Sequence, residues 1–508
     1  MDKFYHSVRL DPDLCKGCIN CIKRCPTEAI RVRNGKAQIN SKFCIDCGEC
    51  IRVCPHHAKY AIYDRPDAIK QYEYTVALPA PSLYSQFNNL DDVNIVLNAL
   101  LLMGFDDVFE VSAAAELVSE ATRSYITSHR DQLPFISTAC PSVVRLIRVR
   151  FPNLISHMLP LNPPVEVAAM LAVSQAMKKT GLPREKIGIF FISPCPSKVT
   201  YVKSPLGNEF SQVDRVLAIK DIYPQLLSRM KAVGKDYPEI GTSGKIGISW
   251  GRSGGESSGL LSENYLAADG IENVIRVLED LEDQKFTNLE FIELNACNGG
   301  CVGGILTVEN PYVAETKLKR LRRYMPVART HMSQEAEELI PWTTGVQYEP
   351  VFRLGNTMME SFTRLNQVER LCKKLPGLDC GSCGAPTCKA LAEDIVRGQA
   401  QETDCVYYLR ENLHRLSEEV STLADDLVAQ GDRGGQETLR ILKEYIHRIS
   451  DEMSLLDGQE DDGDKAGDKN TDDLNREASG RTAAKAPTAA IQNTVHQGDT
   501  HIEEKEDS

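Results

Sequence analysis

Three things are scarce or missing in this 508-residue chain, and each narrows what it can be. No apolar run approaches the roughly 20 residues needed to cross a bilayer, so no membrane span is expected. The first ten residues, MDKFYHSVRL, lack the apolar core of a secretory leader, so a cytoplasmic location is expected. Positive charge is also in deficit. Lys and Arg number 58 against 71 Asp and Glu, a net of −13 that argues against a nucleic-acid partner. That deficit is uneven: from Asp457 onward there are 14 acidic and 6 basic residues, a net of −8.

What is abundant is cysteine. In a reducing compartment, 17 of them point to metal sites rather than disulfides. Eight lie before residue 55, four between 140 and 301, and five between 372 and 405. At this length the chain exceeds one compact core, and the grouping fits several domains.

The first group reads Cys15-x2-Cys18-x2-Cys21-x3-Cys25-Pro26 and repeats as Cys44-x2-Cys47-x2-Cys50-x3-Cys54-Pro55. This is the bacterial-type ferredoxin spacing for two [4Fe–4S] clusters, in which the fourth cysteine of each run serves the other cluster. The expected sets are Cys15, Cys18, Cys21 and Cys54, and Cys44, Cys47, Cys50 and Cys25. Short spacers bring three thiolates to one face of a cubane, and Gly17 and Gly48 relieve crowding. Zinc is the alternative, but it needs four ligands and no run of four ending in Cys-Pro. Residues 1–70 are therefore read as an electron-relaying, ferredoxin-like α+β module.

From 71 to 355, short apolar runs alternate with amphipathic stretches, which predicts an α/β domain. Phe135-Ile136-Ser137 leads to Cys140, 187-IGIFFI-192 to Cys195, and 291-FIEL-294 to Cys297 and Cys301. Ligands of α/β domains bind beyond the carboxyl ends of strands, so these loops are expected to converge. Structural burial would account for any single cysteine. It does not account for Cys195 between two prolines, or for the glycine-rich 297-CNGGCVGG-304, where a bulky group can approach the backbone.

The segments 138-TACP-141, 193-SPCPSK-198 and 293-ELNACNGGCVGG-304 resemble, in order, the three signature loops of [FeFe]-hydrogenases. The resemblance implies that Cys140, Cys195, Cys297 and Cys301 hold a [4Fe–4S] cubane. It implies that Cys301 also bridges to a diiron subsite carrying CO, CN⁻ and azadithiolate, the whole forming the H-cluster. Lys198 matches the family lysine that donates to a cyanide ligand, and 250-WGRSGGESSG-259 is similar to a glycine-rich turn beside the cofactor. The substrates implied are H₂ and protons.

The same comparison exposes departures. Efficient members carry a proton-passing cysteine directly before the first cubane ligand; here it is Ala139, which has no proton to pass. A positioned acid or base contributes about 10²–10⁴-fold, so slow turnover is expected. Leu159 aligns with a relay serine and Tyr201 with a glutamate. Asn295 replaces a methionine beside the irons, and Pro163-Pro164-Val165 replaces a Ser-Pro-Gln stretch. Glu120 could match one relay acid. Retained ligands with a lost proton route resemble the sensory type of [FeFe]-hydrogenase, with Ala139 and Asn295 tuning the cluster from outside its ligand set.

Residues 356–406 contain Cys380-x2-Cys383-x4-Cys388-x16-Cys405, similar to the extra [4Fe–4S] domain of sensory-type hydrogenases and of corrinoid iron–sulfur proteins. Zinc is the alternative, and Cys372 is read as packing. Over 407–456, Leu409, Leu413, Leu416, Val420, Leu423 and Leu427 follow a heptad stripe, resumed after 431-GDRGG-435 by Leu442, Ile446, Ile449, Met453 and Leu456. Either an amphipathic hairpin packs on its own chain, or a coiled coil supports a homodimer or docks a signalling partner. The tail, 457–508, is too polar to order itself. No PAS-like, kinase or effector domain is visible.

Three functions fit: a hydrogen sensor that passes electrons through flanking cubanes to a redox or signalling partner, an ordinary electron-transferring hydrogenase with a different proton path, or a non-catalytic iron–sulfur assembly. A replacement acid near the cofactor would separate the first two.

Overall fold

The computed structural model describes residues 4–429 and the isolated positions Arg440 and Glu444. The second half of the predicted leucine stripe, apart from those positions, and the acidic tail lie outside the described residues. The chain divides into two compact units, residues 1–409 and 410–508.

The ferredoxin-like module pairs β1 (Val8–Leu10) antiparallel with β4 (Lys59–Ala61), and β2 (Ile30–Arg33) with β3 (Lys36–Ile39). Two one-turn helices, Asn20–Lys23 and Glu49–Arg52, follow the first cysteines of each run. Its core is small: Ile22, Ile30 and Ala37 pack around Cys15, Cys21 and Cys50.

The central domain is α/β, as its alternating pattern predicts. β5 (Tyr74–Pro79), β6 (Asp107–Val108), β8 (Ile187–Ser193) and β9 (Arg215–Ala218) form a parallel sheet in the order β6-β5-β8-β9. Every residue of β8 is buried, because helices cover both faces. Ile189 and Phe191 pack with helices Val111–Ser128 and Pro164–Thr180; Phe190 and Ile192 pack with Val93–Leu102 and Ile219–Ala232. That is the period-two alternation of a strand.

A second parallel sheet has the order β10-β11-β7, from Tyr265–Asp269, Phe291–Asn295 and Phe135–Ile136. Helices Pro141–Arg150 and Ile271–Glu282 pack against it through Val143, Ile147, Val274 and Leu278. The three cysteine loops thus leave two sheets rather than one.

Beyond the central domain, helix Met358–Lys374 packs on helix Cys388–Val396 through Val368, Leu371 and Leu391. The Thr387 side chain caps the second helix by accepting from the Ala390 N–H. Helix Val406–Ala429 carries the first half of the leucine stripe, in which Leu413, Leu416 and Leu423 are exposed. No described helix is long and apolar enough to cross a membrane.

Candidate metal centre

The three predicted loops do converge. Cys140 and Cys195 occupy the N-cap positions of helices Pro141–Arg150 and Pro196–Lys203, each with proline in its first turn. Proline is tolerated there because the first helical N–H groups have no intrahelical acceptor. Cys301 lies in the turn Gly300–Gly303 that follows β11. Gly300 has φ of +81°, and a Cβ on it would fall 2.5 Å from the Ser253 nitrogen. Only glycine lets this loop close on the 250–259 turn.

The thiols feel one another strongly. Burial pushes Cys195 up to about 11; Lys198 opposes this, while Cys301 and Cys140 add to it. Burial and then Cys195, Cys140 and Cys301 push Cys297 well up. Burial also raises Cys301, against the Lys198 charge. Lys198 Nζ is 3.7 Å from Cys301 Sγ. Burial works against the lysine's charge, but Cys301, Cys195, Cys140 and Cys297 outweigh it and raise its pKa. Four thiols around one ammonium, Cys195 buried and the other three partly so, fit an anionic metal–sulfur group, which would take their protons' place on binding.

Beside Cys301 and Lys198 is a small cavity. Its wall includes Ala139, Asn295 and Pro163-Pro164-Val165, the very positions at which the sequence departs from the efficient pattern. Trp250 and Gly251 place the glycine-rich turn on the same wall.

The wall also holds two carboxyls to which sequence reasoning gave no role, Glu256 and Glu293, respectively 5% and 2% exposed. Glu293 accepts from the backbone N–H groups of Gly254 (2.9 Å) and Ser257 (2.8 Å) and from Asn295 Nδ2 (2.9 Å). Burial raises its pKa, and those donors resist the rise. Glu256 accepts only from the Ser137 hydroxyl, at 2.6 Å, among the hydrogen bonds described. Burial and then the neighbouring Glu293 push its carboxyl well above the usual range. Of the two, Glu256 is therefore the one more strongly biased toward its protonated form. Ser137 Oγ in turn accepts from the Ala139 N–H at 3.2 Å. The Glu256 carboxyl is tied, through one hydroxyl, to the backbone of the residue whose side chain lost its proton. The available signal was a glutamate inside a glycine- and serine-rich turn, but its partner is 37 residues away and only the fold unites them.

Other candidates fall elsewhere. Glu120 accepts from the Met332 N–H at 3.3 Å, and Leu159 offers its carbonyl to the Thr138 hydroxyl at 3.0 Å. The Tyr201 hydroxyl accepts from Asn208 Nδ2 at 3.5 Å. None of the three lines the cavity.

In the ferredoxin-like module the electrostatic neighbours of Cys21 and of Cys47 fall within one expected set each, while Cys50 also feels Cys21 of the other. Burial raises Cys21, and Cys18, Cys15 and Cys54 add to the rise. Burial also raises Cys47, which feels Cys25, Cys50 and Cys44. Burial raises Cys50 as well, and the Lys59 ammonium, buried without a described hydrogen-bond partner, pulls against burial at Cys15, Cys21 and Cys50, of which only Cys15 ends below its ordinary value. In the C-terminal group, burial raises Cys383, with Cys405 and Cys380 close enough to add to it. Cys372 and Cys388 pack in the same small core.

Fold and site together define a class. Residues 73–262 and 256–305 match the family model of the iron only hydrogenase large subunit, C-terminal domain, and the central domain belongs to that family. Residues 7–55 match the 4Fe-4S dicluster domain, and residues 375–407 the FeS family model. Among curated proteins, the chain is similar to NADP-reducing hydrogenase subunit HndD of Solidesulfovibrio fructosivorans. That similarity is 23% identity, covering 59% of this chain and 64% of that one. It is also similar to iron hydrogenase 1 of Clostridium pasteurianum, at 22% identity over 46% of this chain and 50% of that one. The chain thus spans about half to two thirds of these relatives. Among solved structures, apo [FeFe]-hydrogenase HydA1 from Chlamydomonas reinhardtii aligns at 15% identity and a TM-score of 0.44, covering 56% of this chain and 99% of that one.

Proposed function

We propose that the chain binds an H-cluster and reacts reversibly and slowly with H₂, as a hydrogen sensor that passes electrons to a redox or signalling partner. The observation that carries this reading is the convergence of Cys140, Cys195, Cys297 and Cys301 on Lys198, beside a cavity that Cys301 and Lys198 both line. In the proposal the four thiolates hold a cubane, with Cys301 also turned toward the cavity. Lys198 offers an ammonium donor to an anionic ligand there. When bound, the diiron group supplies the site for H₂ cleavage and formation. Ala139 passes no proton, and Asn295 sets the polarity at the wall. Cys15, Cys18, Cys21 and Cys54, together with Cys44, Cys47, Cys50 and Cys25, hold two relay cubanes. Cys380, Cys383, Cys388 and Cys405 hold a further one. The exposed leucines of the C-terminal helix support a homodimer.

Glu256 favours a second reading, an ordinary electron-transferring hydrogenase whose proton path differs. A buried, protonated carboxyl on the cavity wall is the replacement acid such a path requires.

Infrared spectroscopy on protein matured with the diiron cofactor tests both. CO and CN⁻ stretches are the expected outcome. Their absence would leave a non-catalytic iron–sulfur assembly.

A further inference from the structure

The C-terminal cysteine group lies within the same compact unit as the ferredoxin-like module and docks directly on it. The Val32 N–H donates to the Gly384 carbonyl at 2.8 Å, extending β2 onto the loop between Cys383 and Cys388. Gly384 has φ of +78°, and a Cβ on it would lie 2.0 Å from the Val32 carbonyl oxygen, so no larger residue permits this approach. Arg33 donates to the Cys383 carbonyl at 2.9 Å, and Lys23 donates to the carbonyls of Asp379 and Pro386.

The contact centres on Asp394, 3% exposed on the helix that begins at Cys388. Arg31 grips its carboxylate with two nitrogens, at 2.6 and 3.1 Å, and Arg33 adds a third contact at 2.9 Å. Forked arginine–carboxylate pairing fixes orientation as well as distance.

A different part of the ferredoxin-like module meets the central domain. Arg145 donates to the Cys44 carbonyl at 2.8 Å and Ser142 to the Ile45 carbonyl at 3.1 Å, both from the helix that starts after Cys140. Arg52 donates to the Gly303 carbonyl at 2.8 Å, two residues from Cys301. So the second cysteine run faces the central cage, while the helix bearing Cys21 and the strand beyond Cys25 face the C-terminal group.

We propose that the C-terminal cysteine cage is the outer end of an intramolecular electron path, with the Arg31–Asp394–Arg33 clasp as the positioning element that holds it in series with the ferredoxin-like module. This rests on the reading that the cages hold iron–sulfur clusters. One H₂ oxidised at the central site yields two protons and two electrons. The electrons pass one at a time through the ferredoxin-like module to the C-terminal cage, and leave there to a one-electron carrier protein.

The test is electron paramagnetic resonance of the full chain, reconstituted with iron and sulfide and reduced with dithionite; it needs no diiron group. The wild-type spectrum is expected to be broadened by coupling between the C-terminal cluster and the ferredoxin-like pair. Cys405→Ala should lose the iron of one cubane together with that broadening. Asp394→Ala should keep its iron but show the C-terminal cluster as a narrow, independent signal. Should Asp394→Ala lose iron, Arg31→Gln/Arg33→Gln replaces it, with the same expected result. A wild-type spectrum equal to the Cys405→Ala spectrum plus a narrow independent signal overturns the series arrangement. Broadening that persists in an iron-replete clasp variant, or iron loss in both, overturns the positioning role. Missing CO and CN⁻ bands would sink the hydrogenase reading and leave this result standing.

Discussion

The central cavity has two sides that have fared differently. On the cage side, Cys140, Cys195, Cys297, Cys301 and Lys198, the residues that the hydrogenase resemblance singles out, are drawn together by the fold from two sheets. On the opposite wall, Ala139, Asn295 and Pro163-Pro164-Val165 depart from it together. Yet that wall is not simply stripped, because it holds Glu256 and Glu293 as a buried pair. Such a pair is costly to bury unless its members are hydrogen-bonded, as both are here. On the second of the proposed readings, the cage side holds the metal group and Glu256 takes over the handling of protons.

The sharpest way to break this contrast is on the cage side. Cys301→Ala should abolish the CO and CN⁻ infrared bands after maturation, while the reduced ferredoxin-like clusters keep their paramagnetic signals. Bands of undiminished intensity would remove Cys301 from the ligand set. The next largest effect is expected on the wall. Glu256→Gln keeps shape and hydrogen bonding but cannot pass a proton, so H₂ turnover should fall by about 10²–10⁴-fold with the infrared bands retained. Unchanged turnover would make Glu256 a structural acid.

Why one side was legible in the sequence and the other was not follows from how each is built. Cage ligands sit in short contiguous motifs, because a loop of a few residues must deliver a thiolate and clear room for a bulky group. Cys195 between prolines and the glycines around Cys301 are local marks of that demand. Glu256 and Glu293 have no local mark. Glu293 sits in the middle of an otherwise mostly apolar strand and Glu256 in the first turn of a short helix, and their significance comes from the packing of the 250–259 turn against that strand. The fold divides similarly. Strand–helix alternation predicts α/β from residue 71 onward, but not that β7, β10 and β11 form a separate sheet from β5 and β8. Pairing between distant strands is not written in the period of any one of them. The ferredoxin-like runs were fully readable, whereas the Asp394 clasp joins residues some 360 positions apart.

A smaller effect is expected from restoring what the wall lost. Ala139→Cys places a thiol on the cavity beside Cys140, and turnover should rise, but by less than the ~10²-fold that a complete relay contributes. On the proposed reading, Leu159 and Tyr201 still interrupt the route further out. A rise larger than that would mean the outer relay never limited the rate. No rise, combined with a loss in Glu256→Gln, would show that the carboxyl route already carries the traffic.

The smallest effect concerns stability, and its sign separates a protonated Glu256 from an ionised one. Burial and Glu293 raise the Glu256 pKa in the folded chain above the ordinary glutamate value. Folding therefore favours its neutral form. That contribution is fully present below the unfolded-state pKa and is lost as pH rises through the folded one. In the cluster-free chain, the midpoint of thermal unfolding should fall, as pH rises above the ordinary glutamate range, more steeply for wild type than for Glu256→Gln, which has no proton to lose. Equal slopes would mean that Glu256 is already ionised in the fold, charged beside Glu293. The wall would then repel an approaching proton donor's conjugate base instead of supplying a proton, and the slow-sensor reading would gain over the rerouted one.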